Sequence, residues 1–229
     1  MISRYLTINS IDRNSGNPSN FQINIHNGLS YKTCRLVMAQ IPNTYYNITD
    51  YNNGILINSV LKKLTPGNYN LDEFFQAFIN IDSSIQSISY DDTICKIIIT
   101  CTSSTNISFP TNGSINFVIG FDKNYNSSAI THTSVNPPSL AKHVLYIDID
   151  QLSSNHTSSF INSTSNVFEV PNNVNKNEII FYNEKTNFRQ SVNCKSNSEI
   201  IYNLSVKIKD QFNQIVTGLS DFSLILAFY

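Results

Sequence analysis

The chain has 229 residues, of which 41 % are hydrophobic and only 14 % are charged, and its net charge is −1 from 15 basic and 16 acidic residues. This length and apolar content suffice for a normal core and exclude a chain that is disordered as a whole. The sequence has no basic run, so we expect no sequence-specific nucleic-acid partner. No apolar run approaches the ~20 residues that a membrane span needs.

With so few charges, the surface must consist largely of Asn, Ser and Thr. Such a surface suits dense packing against copies of the same chain, although an AT-rich coding genome would produce the same composition. Polar residues follow Met1-Ile2-Ser3-Arg4, so we expect no signal peptide. The four cysteines form no C-x-x-C pair, and we predict reduced thiols, consistent with assembly in a cytosol.

Residues 1–20 form a polar segment, rich in structure-breaking residues, ahead of the first clean strand. A segment of this composition is expected to bury little of itself in its own domain. We therefore predict an arm over 1–20 that lies across a neighbouring subunit. Arg4 and Arg13 either pair with carboxylates of that subunit or are simply solvated. The candidate assembly residues are Arg4, Asp12, Arg13, Asn14 and Phe21.

Apolar and polar residues alternate with a period of two through most of the remaining chain, which predicts antiparallel strands. In the clearest case, 200–209, one predicted face holds Ile200, Tyr202, Leu204, Val206 and Ile208. The segment 222–229 is apolar on both faces, so we expect a central or covered strand there. Further strands are predicted at 21–25, 34–41, 55–59, 60–64, 85–90, 94–101, 107–109, 143–150, 167–170 and 179–182.

One segment has helical periodicity instead. Apolar residues at i, i+3, i+4, i+7 and i+8 predict a helix over 71–79, with Asn70 as its N-cap and Glu73 completing a capping box. A short helical turn is predicted at 115–120. The polar stretches 122–140 and 152–166 are predicted to be long surface loops.

These elements predict an all-β fold, a single jelly-roll antiparallel β-sandwich with one short helix and an extended N-terminal arm. About eight of these strands are usable in a sandwich after the arm, and we find no interdomain linker. The predicted division is therefore an arm over 1–20 and one jelly-roll domain over 21–229.

Two acidic residues form the strongest candidate for a metal site. Asp148-Ile149-Asp150 resembles a D-x-D motif, whose carboxylates can hold Mg²⁺ or Mn²⁺. The same residues also fit a strand face on which the carboxylates oppose Lys207 and Lys209. We favour the second interpretation because no phosphate-binding loop accompanies the motif.

Other catalytic patterns are missing from the sequence. The histidines, His26, His132, His143 and His156, lack the H-x-H or H-x-D spacing of a jelly-roll metal enzyme. There is no G-x-S-x-G motif, and Cys34 and Cys101 lie within predicted strands, where core packing is expected. We therefore predict no catalytic, cofactor-binding or metal-binding residue, no cofactor, no small-molecule substrate and no enzymatic activity.

An ordered set of short motifs resembles the single jelly-roll capsid proteins of virophages, polinton-like viruses and related large DNA viruses of eukaryotes. The motifs span nearly the whole chain: Ser10-Ile11-Asp12-Arg13-Asn14, Pro18-Ser19-Asn20-Phe21-Gln22-Ile23, Ile41-Pro42-Asn43-Thr44-Tyr45-Tyr46-Asn47-Ile48, Leu64-Thr65-Pro66-Gly67-Asn68-Tyr69, Ile119-Gly120-Phe121, Tyr146-Ile147-Asp148-Ile149, 204–210 and Asp221-Phe222-Ser223-Leu224.

The resemblance implies a non-enzymatic penton protein. Five copies would form a homopentamer at each fivefold vertex of an icosahedral capsid and contact a double jelly-roll major capsid protein. The protein would belong to the virion capsid and assemble in the host cytoplasm. The alternative is a trimeric jelly-roll head that recognises a receptor or glycan through its long loops. A cupin-type or glycosidase-type enzyme ranks third because its ligands are missing.

Overall fold

The computed structural model describes residues 4–30, 32–140, 144–153, 167–187, 189–194, 200–211 and 213–229. Two compact units are present, one formed by Met1–Tyr45 with Lys142–Tyr229 and the other by Tyr46–Ala141. We call them unit 1 and unit 2. The strands are β1 Arg4–Asn9, β2 Ser15–Asn17, β3 Asn20–Leu29, β4 Thr33–Pro42, β5 Gly54–Ile57, β6 Val60–Lys63, β7 Ile85–Asp91, β8 Lys96–Ser108, β9 Asn126–Thr133, β10 Val144–Ile149, β11 Leu152–Ser153, β12 Val167–Pro171, β13 Ile179–Asn183, β14 Ser191–Cys194, β15 Ile201–Lys209 and β16 Ser223–Phe228, and the α-helix is α1 Leu71–Ile79.

Unit 1 contains two antiparallel sheets. The first sheet has the order β1-β16-β4-β14-β11, with β13 also pairing with β4, and the second has the order β12-β10-β15-β3-β2. Strand β16 lies between β1 and β4, which confirms the predicted central C-terminal strand. Residues of both sheets form one hydrophobic core, whose largest fully buried side chains include Phe21, Tyr45, Phe168, Tyr182 and Phe228.

A register shift in β15 corrects the predicted face of 200–209. Ile200 and Tyr202 are 52 % and 54 % exposed, although they were expected to share the buried face of Leu204. The pairing of β15 with β3 shifts between Ile201 and Asn203, which turns the strand over at that point. Gly28 permits the close approach there, because its φ is +59° and an added Cβ would lie 2.2 Å from Ile200 Cγ2.

The expectation that the N-terminal segment buries little of itself is wrong. Residues 4–9 pair with β16 along their whole length, from Arg4 opposite Phe228 to Asn9 opposite Ser223. Ile8 and Ser10 are fully buried. A short strand-forming stretch, Tyr5-Leu6-Thr7-Ile8, satisfies the backbone of β16 at an edge that would otherwise be open. The polar residues that follow form a 3₁₀ turn, Ser10–Asp12, and the short strand β2.

Unit 2 has its own sheet, helix and core. The sheet has the order β6-β5-β8-β7, with β9 also pairing with β8. Helix α1 confirms the predicted capping box, because the side chain of Asn70 accepts from the N–H of Glu73 and the Glu73 carboxylate accepts from the N–H of Asn70. Phe74 and Phe78 of this helix are buried in the core of the unit.

Several predicted boundaries in unit 2 require correction. The stretch 122–140 is not a loop throughout, because Asn126–Thr133 forms β9 despite its polar composition. The segments 94–101 and 107–109 belong to one long strand, β8, which begins at Lys96. Cys95 precedes it in the turn with a φ of 54°. The short helical turn predicted at 115–120 is confirmed, because the N–H of Ile119 donates to the carbonyl of Ile115 at 3.2 Å.

The predicted domain boundaries, an arm over 1–20 and a jelly roll over 21–229, do not coincide with the two units. The unit boundaries follow Tyr45 and precede Lys142, and both segments of unit 1 contribute strands to each of its sheets. Unit 2 is therefore an insertion between β4 and β10. The predicted loop 152–166 lies outside the described residues beyond Ser153.

Candidate assembly surface

The N-terminal and C-terminal segments of unit 1 are joined by a polar cluster that we call the clasp: Ser10, Arg13, Asp221 and Phe222. The guanidinium of Arg13 donates to Asp221 Oδ1 at 2.6 Å and to the carbonyl of Ser10 at 2.7 Å. Ser10 Oγ donates to the same carboxylate oxygen at 2.8 Å and accepts from the N–H of Phe222 at 2.8 Å. The carboxylate that Arg13 binds therefore belongs to its own chain.

The other candidate residues of the predicted arm are also held within unit 1. Arg4 donates to the carbonyl of Gly28 at 3.2 Å, and Asn14 Oδ1 accepts from the N–H of Asn24 at 2.7 Å. Phe21 is 2 % exposed and packs edge-to-face on Phe222, so its side chain is a core residue. Asp12 is exposed and accepts a bond of 3.2 Å from the Asn9 amide. Of the five, Asp12 and Asn14 are exposed, and Asn14 is the one of these two whose side chain bonds to the backbone of β3.

An open apolar groove of about 290 Å³ lies beside the clasp. Ile11 and Ile179 line it and are 69 % and 60 % exposed. The remaining lining residues are mostly uncharged: Asn9, Gln40, Pro42, Asp221, Phe222 and Ser223. Its one carboxylate, that of Asp221, is neutralised by Arg13. The groove therefore presents apolar side chains edged by amide and hydroxyl groups.

The groove continues onto the outward side of the first sheet, where residues on neighbouring strands lie opposite one another. We call this surface, made of two cross-strand rows, the neutral face. Its members are uncharged: Thr7, Ile225, Met38 and Asn183 in one row, and Asn9, Ser223, Gln40 and Phe181 in the next. Phe181 is 50 % exposed. The neutral face can thus be covered without desolvating a charge.

The outward side of the second sheet has ion pairs instead. Lys207 contacts Asp150 at 2.8 Å, and Lys209 contacts Asp148 at 2.6 Å. The pairs run diagonally between β10 and β15, because Asp148 lies opposite Lys207 in the register. These contacts confirm that the D-x-D carboxylates oppose the two lysines. Both carboxylate oxygens of Asp150 and Oδ2 of Asp148 are engaged by ammonium groups.

Within the described residues, no group of three or more His, Cys, Asp or Glu side chains could hold a metal ion. His26 is exposed, and His132 is buried, whereas His143 and His156 lie outside the described part. Cys34 and Cys101 are buried free thiols, as predicted for core positions, and Cys95 is an exposed free thiol. In the described part of the chain, no helix is long and apolar enough to cross a membrane.

Sequence reasoning missed two features of these sites. Asp221 was not recognised as the partner of Arg13, since 208 residues separate them and neither lies in a motif that specifies pairing. Buried His132 falls within the predicted surface loop 122–140, but it lies in β9. The alternation of Ala129, Thr131 and Thr133 with Ile130 and His132 was the available signal for that strand.

Comparison with known proteins gives a likeness in fold. No protein-family model matches the chain, and no curated protein matches it. Among solved structures, the mavirus penton protein is similar with a TM-score of 0.53 and 14 % identity over 99 % of this chain and 98 % of that one. A chain in the structure of the Sputnik virophage aligns with a TM-score of 0.47 and 14 % identity over 99 % and 97 % of the two chains. The prediction of an all-β single jelly roll is confirmed, and the chain has a virophage penton-like single jelly-roll fold.

Proposed function

We propose that this protein is a structural subunit of a viral capsid, a penton protein that forms homopentamers at the fivefold vertices of an icosahedral shell. It contacts a double jelly-roll major capsid protein, belongs to the virion and assembles in the host cytoplasm. The observation that carries the proposal is the likeness in fold to the mavirus penton protein, which extends over 99 % of this chain and 98 % of that one. The role is structural, without enzymatic activity.

The neutral face supports self-association. A ring of identical subunits needs a heterologous contact, in which one surface of a subunit meets a different surface of the next. Because the two rows of the neutral face have no charged side chain, a neighbour can cover them without the cost of stripping water from an ion. Phe181 and Ile179 supply the exposed apolar area for such a contact.

We propose an assembly role for only one part of the N-terminal segment and not for the whole predicted arm. Arg4, Asn14 and Phe21 are engaged in unit 1, so their contribution is to hold β1 and the clasp in place. Asp12 and Ile11 remain at the surface beside the groove. We propose that this turn contacts the adjacent capsomer.

Native mass spectrometry of the purified full chain tests the proposal. We expect a five-chain species, or a monomer that becomes a pentamer when it is co-expressed with the major capsid protein and shells form. A stable trimer would favour the receptor-binding or glycan-binding head and overturn the penton assignment. A monomer that never enters shells would overturn it as well.

Point substitutions are the appropriate variants for the N-terminal turn. Deleting 1–20 would remove β1 together with the buried side chain of Ile8. Such a variant would fail to assemble simply because it unfolds. Asp12→Lys and Ile11→Lys change side chains that face solvent, and we expect them to fold and to enter shells poorly. His26→Lys, on another exposed position of unit 1, is the matched control and should be incorporated normally.

A further inference from the structure

His132 of β9 is buried in unit 2 with both ring nitrogens engaged. Only 1 % of the residue is exposed. Its Nε2 lies 3.1 Å from the carbonyl of Ala129, and its Nδ1 lies 2.8 Å from the hydroxyl of Tyr125. A carbonyl can only accept, so Nε2 donates its hydrogen and Nδ1 accepts from the tyrosine O–H. The ring is thus held as the neutral Nε2–H tautomer.

The ring lies at an irregularity in the pairing of β8 with β9. Thr100 lies opposite Thr131, but the next paired residue of β8 is Thr105, opposite Ala129. The imidazole bonds to the Ala129 carbonyl on β9 and also interacts with the backbone of Thr105 on β8. His132 therefore pins the two strands together where the regular ladder is interrupted.

Aromatic rings pack around this pin. Tyr125 meets the His132 ring edge-on at 5.9 Å, and its other neighbours are Phe121 at 4.9 Å and Phe109 at 6.3 Å. Among the side chains of Tyr125, Phe121 and Phe109, the only polar atom is the hydroxyl of Tyr125. A positive charge on the imidazole would therefore be placed in a largely apolar group.

The titratable groups that face His132 do not offset such a charge. Tyr125, from the segment before β9, contacts the ring, and Cys101 of β8 acts in turn on Tyr125. Burial raises the pKa of both groups, so they are uncharged at neutral pH. Asp82 acts on the Cys101 thiol, and its carboxylate is paired with Lys62 at 2.9 Å. Among the described residues, no carboxylate forms an ion pair with His132.

We propose that His132 is an acid-sensitive pin that releases β9 from β8 when the surroundings become mildly acidic. The proton binds to Nδ1, the Tyr125 O–H loses its acceptor and must turn away, and the charged imidazole gains hydration only if β9 opens. Burial lowers the pKa of His132 in the closed state. The inference concerns unit 2 and is independent of the proposed capsid role.

The sign of the effect follows from linkage. In the open state His132 has an ordinary pKa of about 6.5, whereas the closed state resists protonation. The open state therefore binds more protons as the pH falls below about 6.5, and acid favours opening. A single proton changes the opening equilibrium by up to about tenfold per pH unit.

Hydrogen exchange measured by mass spectrometry on the full chain tests the pin. After correction for intrinsic rates, peptides that cover 126–133 should lose protection between pH 6.5 and pH 5 by up to about tenfold per pH unit. In His132→Gln, which has no group that titrates in this range, these peptides should be less protected at neutral pH and should not respond to acid. His26→Gln is the matched control and should keep the wild-type response.

Equal protection of the wild-type β9 at pH 6.5 and pH 5 would overturn the proposal, and so would an unchanged acid response in His132→Gln. If His132→Gln fails to fold, Tyr125→Phe provides a second variant that keeps the aromatic packing. It removes the donor that favours the neutral ring, so the acid response should shrink. An acid response as large as that of the wild type would contradict the role of Nδ1.

Discussion

The two sheets of unit 1 face solvent in different ways. The outward side of the second sheet carries two lysine–carboxylate pairs, with Lys207 on Asp150 and Lys209 on Asp148. The first sheet also has an ion pair, Arg35 of β4 with Glu184 at 2.8 Å, but it lies outside the two rows of the neutral face. Those two rows have amide, hydroxyl and apolar side chains and expose half of Phe181. Both sheets cover the same core, so the core does not explain this difference.

This difference indicates which side of unit 1 is suited to permanent contact. Covering the second sheet would desolvate ions that already have partners, and a new neighbour could return little of that cost. Covering the neutral face removes apolar area from water and leaves amides and hydroxyls that can form new hydrogen bonds. In a chain with only 14 % charged residues, the placement of the few ion pairs therefore carries information about assembly.

The largest expected effect comes from breaking the better-buried ion pair of the second sheet. The side chains of Lys209 and Asp148 are 16 % and 8 % exposed. Asp148→Asn leaves the ammonium group without its counter-charge, and we expect the free energy of unfolding to fall by about 2 to 3 kcal/mol. Chemical denaturation followed by circular dichroism measures the change.

The neighbouring pair provides the control for that experiment. Lys207 and Asp150 are 29 % and 42 % exposed, so water screens their attraction. Asp150→Asn should cost less than about 1 kcal/mol. Equal losses in the two variants would show that burial does not distinguish the pairs.

The next effect concerns the clasp that attaches the N-terminal segment to the neutral face. Ser10→Ala removes a hydroxyl that both donates to Asp221 and accepts from Phe222, in a fully buried residue. We expect a loss of about 1 to 2 kcal/mol in the free energy of unfolding. Arg13→Met, at the more exposed end of the clasp, should lose less than about 1 kcal/mol. A larger loss in Arg13→Met than in Ser10→Ala would contradict this ranking.

The ion pair between Lys62 and Asp82 of unit 2 provides a reference for acid sensitivity that involves neither sheet of unit 1. Bonds from the backbone and side chain of Ser84, and from Lys62, lower the pKa of Asp82 to about 2. A lowered carboxyl pKa adds stability that is fully present above the ordinary value of 3.8 and is lost as the pH falls from there through about 2. Asp82→Asn should therefore cost about 1 kcal/mol at pH 7, and this cost should vanish only below about pH 2. Denaturation at a series of pH values measures this convergence, and a constant difference would contradict it.

The period-two pattern of the sequence predicted the longer strands after residue 20 well, because alternation directly reports a half-buried strand. It did not predict four strands of the two sheets, β1, β2, β11 and β14. Strands β4, β13 and β16, and the capped helix α1, begin and end within a few residues of the predicted bounds. The register of β15 could not be predicted. It depends on Gly28 in a different strand, whose close approach to Ile200 has no local signal.

The neutral face could not be predicted from the sequence either, for a related reason. Thr7, Ile225, Met38 and Asn183 are far apart along the chain and become a row only through three pairings. Arg13 was expected either to pair with a carboxylate of a neighbour or to be solvated, because nothing local marks its own partner, Asp221, near the other end of the chain. The low charge of the composition was visible, but which rows of neighbouring strands it leaves without charge depends on topology.

A charge placed in the neutral face should have the smallest effect on stability and the largest effect on assembly. Phe181→Lys changes a half-exposed side chain, so we expect the free energy of unfolding to change by less than about 0.5 kcal/mol. Gln22→Lys adds the same charge at an exposed position of the second sheet and should be equally mild.

Sedimentation velocity of the wild type, Phe181→Lys and Gln22→Lys, each at a series of concentrations, tests the central claim most directly. We expect the wild type and Gln22→Lys to form the same oligomer, and Phe181→Lys to sediment as a folded monomer. An oligomer that survives a charge in the neutral face, or that is lost only when the charge lies on the second sheet, would contradict the assignment of the assembly surface.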